Sequence, residues 1–149
     1  MAEADFKRLA KYKVTIGIVA HKLCMEAAVI AAIISRESRV GAILKNGMGV
    51  GGKTFGLMQL NKEWHKPKGA WDSAEHITQG TEVLIQMFKA IQIKFPNWTV
   101  NQHLKGAIAA YNCGPANVKT FVEVDKYTTG HDYSNDVVAR AIYFKANGY

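Results

Sequence analysis

The feature that most constrains the fold is an alanine- and isoleucine-rich segment from Glu26 to Arg39, which contains neither glycine nor proline. This composition favours an α-helix, because alanine has the highest helix propensity and glycine and proline have the lowest. Gly41 follows almost at once and is a typical residue just beyond a helix end. The sequence therefore predicts a central helix over residues 26–39.

Around this segment the sequence predicts a mostly α chain with one irregular region. Six of the thirteen glycines lie between Gly41 and Gly56, which indicates loops, tight turns or a small irregular sheet. Apolar residues at helical spacing predict further helices in these stretches: residues 6–23, residues 73–95 between an Asp72 or Ser73 cap and Pro96, residues 102–113 between an Asn101 cap and Gly114-Pro115, and residues 135–144 after a Ser134 cap.

Length and composition favour one globular domain over residues 1–149, since 48% of the residues are hydrophobic. The longest uncharged apolar run, residues 27–35, is shorter than the roughly 18 residues that a membrane span requires. Residues 1–22 carry charges throughout and lack the apolar stretch of a signal peptide. A mature chain, a recombinant form and a cytosolic protein all remain open.

The charge balance favours an anionic partner. Nineteen Lys and Arg residues stand against twelve Asp and Glu residues, for a net charge of +7. The basic residues are scattered rather than gathered into a stripe, so nucleic acid is not the predicted partner. A membrane surface and a bacterial wall stay open on charge alone.

Glu37 is the strongest candidate for chemistry. Ile33 and Ile34 belong to the apolar stripe of the predicted helix, and Glu37 continues that face one turn later. Burial and the negative end of the helix dipole both favour the neutral carboxylic acid, which suits a general acid. A structural ion pair with Arg36, Arg39 or Arg140 is the competing interpretation.

The other sequence motifs for binding or catalysis are weak or absent. Residues 47–54 match the GxxxxGK[ST] phosphate-loop pattern, but no buried strand leads in and no helix leads out, so nucleotide binding is not favoured. The five histidines and two cysteines lack metal-ligand spacing, and we predict neither a metal nor a cofactor. No serine or cysteine lies in a motif for an activated nucleophile.

Five strings, in this order, resemble the goose-type lysozymes over residues 12–149: AAIISRES at 31–38, FGLMQ at 55–59, HITQG at 76–80, AAYN at 109–112 and YSNDVVAR at 133–140. The resemblance implies a mainly α (α+β) lysozyme-like fold with a small irregular β region beside the active-site cleft. It also implies hydrolysis of the β-1,4 bond between N-acetylmuramic acid and N-acetylglucosamine. An extracellular monomer acting on peptidoglycan or chitooligosaccharide is the matching expectation.

The resemblance also assigns roles to individual residues. Glu37 matches the family's catalytic proton donor, which agrees with the argument from helical spacing. Asn61 is expected to orient the attacking water. Further matches fall on positions that line the family's saccharide cleft: Gln59, His65, Tyr111, Asn112 and Tyr133.

Two positions depart from the family pattern. Val50 and Asn61 stand where goose-type lysozymes usually have Asp, as expected of either a divergent or an engineered member. An inverting glycosidase needs a carboxylate to activate water, and neither valine nor asparagine can accept that proton. Three hypotheses follow: a weakened muramidase, cleavage resembling that of lytic transglycosylases with Glu37 alone, and a non-catalytic peptidoglycan-binding or inhibitor-binding protein.

Overall fold

The computed structural model describes all residues, Met1–Tyr149, and confirms a mainly helical α+β fold with one small antiparallel sheet. No helix combines the length and the apolar character that crossing a bilayer demands. The elements in chain order are α1 (Ala2–Leu9), α2 (Lys13–Leu23), α3 (Ala27–Ser38), β1 (Thr54–Phe55), β2 (Leu60–Asn61), α4 (Ala74–Lys94), α5 (Val100–Cys113) and α6 (Tyr133–Ala146).

The chain divides into two units, of which the first comprises Met1–Thr81 together with Arg140–Tyr149. Helix α3 is the centre of this unit, because every residue from Ala28 to Ser35 is at most 3% exposed. Helix α2 packs against it. The prediction of a buried central helix is confirmed, and its observed ends lie one residue inside the predicted ones.

The single helix predicted over residues 6–23 is wrong, since a 3₁₀ turn at Ala10–Tyr12 separates α1 from α2. The turn lies where Lys13 interrupts the apolar stripe. It brings the ring of Tyr12 inward to 6% exposure, and the Tyr12 hydroxyl donates to Oδ2 of Asp72 at 2.9 Å. A long-range hydrogen bond thus accompanies a break that local periodicity does not show.

The glycine-rich region forms loops and the small sheet, as predicted. Strands β1 and β2 pair antiparallel, with Thr54 opposite Asn61 and Phe55 opposite Leu60. Gly56 turns the chain at a φ of +83°, and a Cβ there would lie 2.2 Å from the ring of His76. Glycine is therefore required at this turn both by its conformation and by the packing.

The second unit, Glu82–Ala139, has its own apolar core. Phe95 and Trp98 stack at its edge with ring centroids 4.0 Å apart. The buried members of this core lie on α4, α5 and the segment that follows α5: Ile91, Ala109, Ala110, Val118 and Val124.

The helix caps confirm one detail of the sequence analysis and correct two. Ser73, one of the two predicted caps of α4, accepts the N–H of His76. Thr99, and not Asn101, caps α5, because Thr99 and Gln102 each bond the backbone N–H of the other in a capping box. Ser134 does not precede α6 but lies within it.

Candidate active site

Glu37 lies on the last turn of α3, where the helix ends abruptly. Arg39 adopts the left-handed conformation with φ +53°, and its N–H bonds to the carbonyl of Ser35 at 3.0 Å. Glu37 itself is half-buried. The apolar face predicted from Ile33 and Ile34 therefore does carry this carboxyl partly out of water.

A fully buried aspartate, Asp5, bonds the side chains of two residues that flank Glu37. Its Oδ2 accepts the hydroxyl of Ser35 at 2.7 Å, and its Oδ1 accepts Nε of Arg39 at 3.1 Å. Arg140 of α6 reaches Oδ2 at 3.4 Å. Ser35 and Arg39 stand two residues before and after Glu37, so this cluster holds the acid's segment of α3.

Sequence reasoning missed the Asp5 cluster. The sequence analysis considered Arg36, Arg39 and Arg140 as partners of Glu37 and did not consider Asp5, to which Arg39 and Arg140 bond in the structure. Helix α1 carries two acidic residues, Glu3 and Asp5, beside Lys7 and Arg8, and nothing local indicates that Asp5 is the buried one. Asp5 and Arg140 are 135 residues apart, beyond the reach of spacing arguments.

A second link joins the end of α3 to the segment before β2. The hydroxyl of Ser38 donates to the carbonyl of Leu57 at 2.9 Å and accepts the N–H of Gly41 at 3.0 Å. Leu57 and Met58 are fully buried beside it. The segment that carries Gln59 is thereby tied to the helix that carries Glu37.

Gln59 uses its amide inside the hairpin. Its Oε1 accepts the hydroxyl of Thr54 at 2.5 Å, and its Nε2 donates to the carbonyl of Gly56 at 2.8 Å. Gly49 lies so close that a Cβ there would sit 2.1 Å from the Gln59 Oε1. Gln59 therefore shapes this loop, and its backbone takes a left-handed φ of +51° to do so.

Asn61 and His65 lie in one turn after β2. The Asn61 side-chain Oδ1 accepts the N–H of Glu63 at 2.9 Å, and its carbonyl accepts the N–H of His65 at 2.9 Å. Asn61 is exposed and His65 is half-buried. The turn therefore brings these two predicted residues together, through the hydrogen bond from the His65 N–H to the Asn61 carbonyl.

The Val50 position offers no carboxylate and no contact. Val50 is 100% exposed and begins a 3₁₀ turn, Val50–Gly52, which leads into β1. Because a strand rather than an α-helix follows, the local structure is not that of a phosphate loop. Positions 50 and 61 thus carry an apolar side chain and an amide, and neither supplies a carboxylate.

His76 is a buried group whose role the sequence analysis did not see. Its Nε2 accepts the N–H of Met58 at 2.9 Å, so the neutral ring carries its proton on Nδ1. That Nδ1 is buried without a hydrogen-bond partner. Burial lowers the pKa of His76 to about 4, against an opposing effect of the nearby Asp72 carboxylate. The neutral ring of His76 therefore holds the segment between α3 and β2 through its hydrogen bond to Met58.

The second unit contains the remaining predicted residues. Tyr111 and Asn112 are adjacent and half-buried near the end of α5. The amide of Asn112 exchanges two hydrogen bonds with Thr129, at 2.8 and 3.1 Å. Tyr133 is 1% exposed at the start of α6, where its N–H donates to the Thr128 hydroxyl. Asn112 and Tyr133 are therefore held by neighbouring residues of one loop.

Asp125 explains why Ser134 does not cap α6. Its buried carboxylate accepts the N–H and the hydroxyl of Ser134, both at 2.8 Å, and the N–H of Asn135 at 3.1 Å. Burial raises the pKa of Asp125, but the hydrogen bonds from Ser134, Asn135 and Thr128 outweigh it and leave the pKa below its usual value. Asp125, in the segment that leads into α6, thus accepts the N–H groups at the start of that helix, as a capping side chain does.

The second unit also has an open hollow of about 530 Å³, and none of the predicted binding residues lines it. No group of three His, Cys, Asp or Glu side chains is placed to hold a metal ion in either unit. The residues that line the hollow include Lys105, Phe121, Val122, Lys126 and His131.

A half-buried glutamate at the end of a buried helix, joined to a small hairpin, is an arrangement suited to a glycoside hydrolase with a carboxylic general acid. The comparisons with known proteins give the family. The family model described as Lysozyme g matches residues 1–148. Lysozyme g of Gallus gallus is 56% identical over 149 residues, which are 100% of this chain and 71% of that protein.

Two further relatives agree. Lysozyme g of Struthio camelus is 54% identical over 100% of this chain and 73% of that protein. Lysozyme g-like protein 2 of Homo sapiens is 44% identical over 99% of this chain and 68% of that protein. The chain belongs to the lysozyme g family. It is accordingly a glycoside hydrolase of the lysozyme type, with peptidoglycan as its substrate.

Proposed function

We propose that this chain is a weakened muramidase in which Glu37 protonates the oxygen of the β-1,4 bond between N-acetylmuramic acid and N-acetylglucosamine. The observation that carries the assignment is the placement of Glu37: half-buried, and two residues from each of the side chains that Asp5 anchors. A general acid must be held within hydrogen-bond reach of the leaving oxygen, and a fixed helix end provides that.

The proposed weakness comes from the other half of the reaction. As the glycosidic bond breaks, water must add to the anomeric carbon and lose a proton to a base. Neither Val50 nor Asn61 can take that proton. The amide of Asn61 can hold a water, but it does not activate one. General-base assistance commonly contributes roughly 10²–10⁴ in rate, and this chain is proposed to lack most of it.

The remaining residues are proposed to bind the saccharide in two ways. His65 and Tyr111 are half-buried, so part of each ring is open to a sugar. The amides of Gln59 and Asn112 are bonded to their own loops, and the Tyr133 ring is almost wholly covered. For these three we propose that they shape the binding surface more than they contact the ligand.

Product analysis tests the proposal. Purified chain is incubated with peptidoglycan, and the fragments are analysed by mass. Hydrolysis gives a free reducing end on the muramic sugar, and the Glu37→Gln variant is expected to give no fragments above background. A Glu37→Gln variant as active as the unaltered chain would remove Glu37 from the mechanism.

One alternative is favoured by the absence of carboxylates at positions 50 and 61. With Glu37 as the only catalytic carboxyl, groups of the muramic sugar itself can take the place of water and base, as in lytic transglycosylases. The product is then a 1,6-anhydromuramic end, which is lighter than the hydrolysis product by one water. A non-catalytic wall-binding protein, the other alternative, yields neither product.

We also propose that the chain acts outside the cell as a monomer and accepts chitooligosaccharides as well as peptidoglycan. Family membership supports the extracellular location, and the net charge of +7 opposes self-association. The same charge is proposed to draw the chain to anionic walls. Binding to wall fragments should therefore weaken as salt shortens the range of the attraction.

A further inference from the structure

Trp64 is the one tryptophan that the fold leaves in solvent. It is 74% exposed, whereas Trp71 and Trp98 are half-buried. No aromatic stacking or cation–π contact involves Trp64, unlike Trp98, which stacks on Phe95. Tryptophan is enriched at binding surfaces because it offers a large rigid face with little conformational freedom to lose. An indole without a packing role therefore marks a candidate binding surface.

The Trp64 turn, defined as residues 61–68, is fixed at its start. Asn61 accepts three N–H groups of the turn: Glu63 at its side-chain Oδ1, and Trp64 and His65 at its carbonyl, the latter two at 3.1 and 2.9 Å. The exposed indole is thus carried by backbone that is already held in place.

The end of the turn is fixed by α4. The amide of Gln79 donates from Nε2 to the carbonyl of Lys66 at 2.8 Å and accepts the N–H of Lys68 at 3.1 Å. A ligand that contacts Trp64 therefore meets a surface ordered in advance. Pre-organisation of this kind reduces the entropy lost on binding.

The segment around Trp64 is rich in lysine, and the exposed carboxylate of Glu75 lies at its far end, where a Cβ on Gly69 would be 2.8 Å from Glu75 Oε2. Between residues 50 and 70 the acidic side chains are limited to Glu63, against the four lysines Lys53, Lys62, Lys66 and Lys68. All four lysines are exposed, and none is in an ion pair. The N–H of Lys62 bonds to the carbonyl of Lys53 at 3.0 Å, which brings a lysine from outside the turn beside it.

We propose that the Trp64 turn docks an acidic amino-sugar glycan, with a pyranose ring stacked on the Trp64 indole and carboxylates of the strand at Lys62 and Lys66. This rests on the proposed function, because it names a recognition surface for the same polymer. A flat indole matches the C–H face of a sugar, and ammonium groups match the acidic groups that peptidoglycan carries on its muramic sugars. The docking surface begins at Asn61, so it continues from the predicted site.

A lipid surface fits the turn less well. Interfacial binding uses a continuous apolar face that enters the acyl boundary. In residues 61–68 the large exposed apolar side chains are limited to Trp64, and the other exposed residues of the turn are charged or polar. One aromatic ring with surrounding lysines supplies stacking and charge, but not an apolar face.

Binding measurements in a Glu37→Gln background separate recognition from cleavage. Two probes are used: chitohexaose, which is neutral, and solubilised peptidoglycan strands with intact stem peptides, which are acidic. Trp64→Ala is expected to raise the Kd for both probes roughly 5- to 10-fold, the size of one lost aromatic contact. Lys62→Gln with Lys66→Gln should raise the Kd for the acidic strands alone and flatten its salt dependence.

The matched control is Lys89→Gln with Lys119→Gln, two exposed lysines of the second unit, which should leave both Kd values unchanged. Thermal unfolding of each variant confirms that the fold is kept. Acrylamide quenching of tryptophan fluorescence gives an independent measurement, because bound chitohexaose should protect the most exposed indole.

The proposal is overturned if Trp64→Ala binds both glycans as tightly as the parent. It is also overturned if Trp64→Ala loses binding to phosphatidylglycerol vesicles while glycan binding is kept, which would assign the turn to a membrane. Failure of the proposed function looks different. If the chain cleaves no glycan but its glycan binding depends on Trp64, the proposed function fails and this inference stands. If the chain cleaves glycan but Trp64→Ala leaves glycan binding unchanged, this inference fails and the proposed function stands.

Discussion

Replacing the buried Asp5 by asparagine should destabilise the first unit more than any exposed charge substitution. The change keeps the shape of the side chain and removes its charge. Asp5 is fully buried and bonds Ser35, Arg39 and Arg140 at 2.7, 3.1 and 3.4 Å. The side chain of Arg140 is only 7% exposed, so the substitution takes a carboxylate away from a buried positive charge.

The magnitude follows from which of these pairs are buried. Breaking a buried ion pair by removing one partner costs about 3–5 kcal/mol. The pair with Arg8 adds little, because Arg8 is 44% exposed and exposed pairs are worth roughly 0–1 kcal/mol. For a chain of this size, 3–5 kcal/mol corresponds to a fall in Tm on the order of 10 °C.

Urea unfolding followed by circular dichroism measures this change, with Glu3→Gln on the same helix as the control. Glu3 is exposed, and its substitution should cost less than about 0.5 kcal/mol. A loss below about 1 kcal/mol for Asp5→Asn would refute the view that Asp5 organises the end of α3. Turnover measured well below Tm should also fall, because Ser35 and Arg39 hold the segment that carries Glu37.

Three further predictions concern local contacts. The pKa of His76 is lowered to about 4, so between pH 6.5 and 4 the unfolded chain binds a proton that the folded chain excludes, and stability falls as the pH drops. His76 contributes at most about 1.4 kcal/mol of unfolding free energy per pH unit to this dependence. His76→Gln should remove that contribution, as measured by urea unfolding at pH 6.5 and at pH 4.5. An unchanged pH dependence would contradict the lowered pKa of His76. Thr99→Ala breaks the capping box with Gln102 and should cost ~1 kcal/mol by urea unfolding, whereas Asn101→Ala should cost less if Thr99 is the cap. Gly49→Ala would place a Cβ 2.1 Å from the Gln59 amide and should lower the free energy of unfolding by about 1–3 kcal/mol. A thermal unfolding midpoint equal to that of the unaltered chain would contradict this, because it would show that the loop accommodates the Cβ without cost.

Local patterns predicted those parts of the fold that local physics decides. The run from Glu26 to Arg39 has the composition of a helix, and α3 forms within one residue of it. The half-burial of Glu37 follows from the same helical period. The glycine-rich stretch after Gly41 predicted loops, because glycine readily adopts a positive φ. In the structure most of these glycines do adopt one.

The rest depended on which of several possible caps forms and on contacts that periodicity does not show. Asn101 and Ser134 are good caps by residue type, but Thr99 forms the capping box with Gln102, and Asp125, in the segment that leads into α6, bonds the N–H groups at the start of that helix. The roles assigned to the other binding residues came from the resemblance to goose-type lysozymes and stay predictions. No periodicity indicates that Asp5 is buried or that Trp64 is exposed.

The central claim is that Glu37 supplies an acid in a site that lacks its base, and restoring the base tests it most directly. Rates of peptidoglycan hydrolysis are measured for the unaltered chain and for Val50→Asp with Asn61→Asp, each with Glu37 and with Glu37→Gln. We predict a gain of roughly 10²–10⁴ on restoring the aspartates when Glu37 is present, and no activity without it. Equal rates with and without Glu37 would contradict the account.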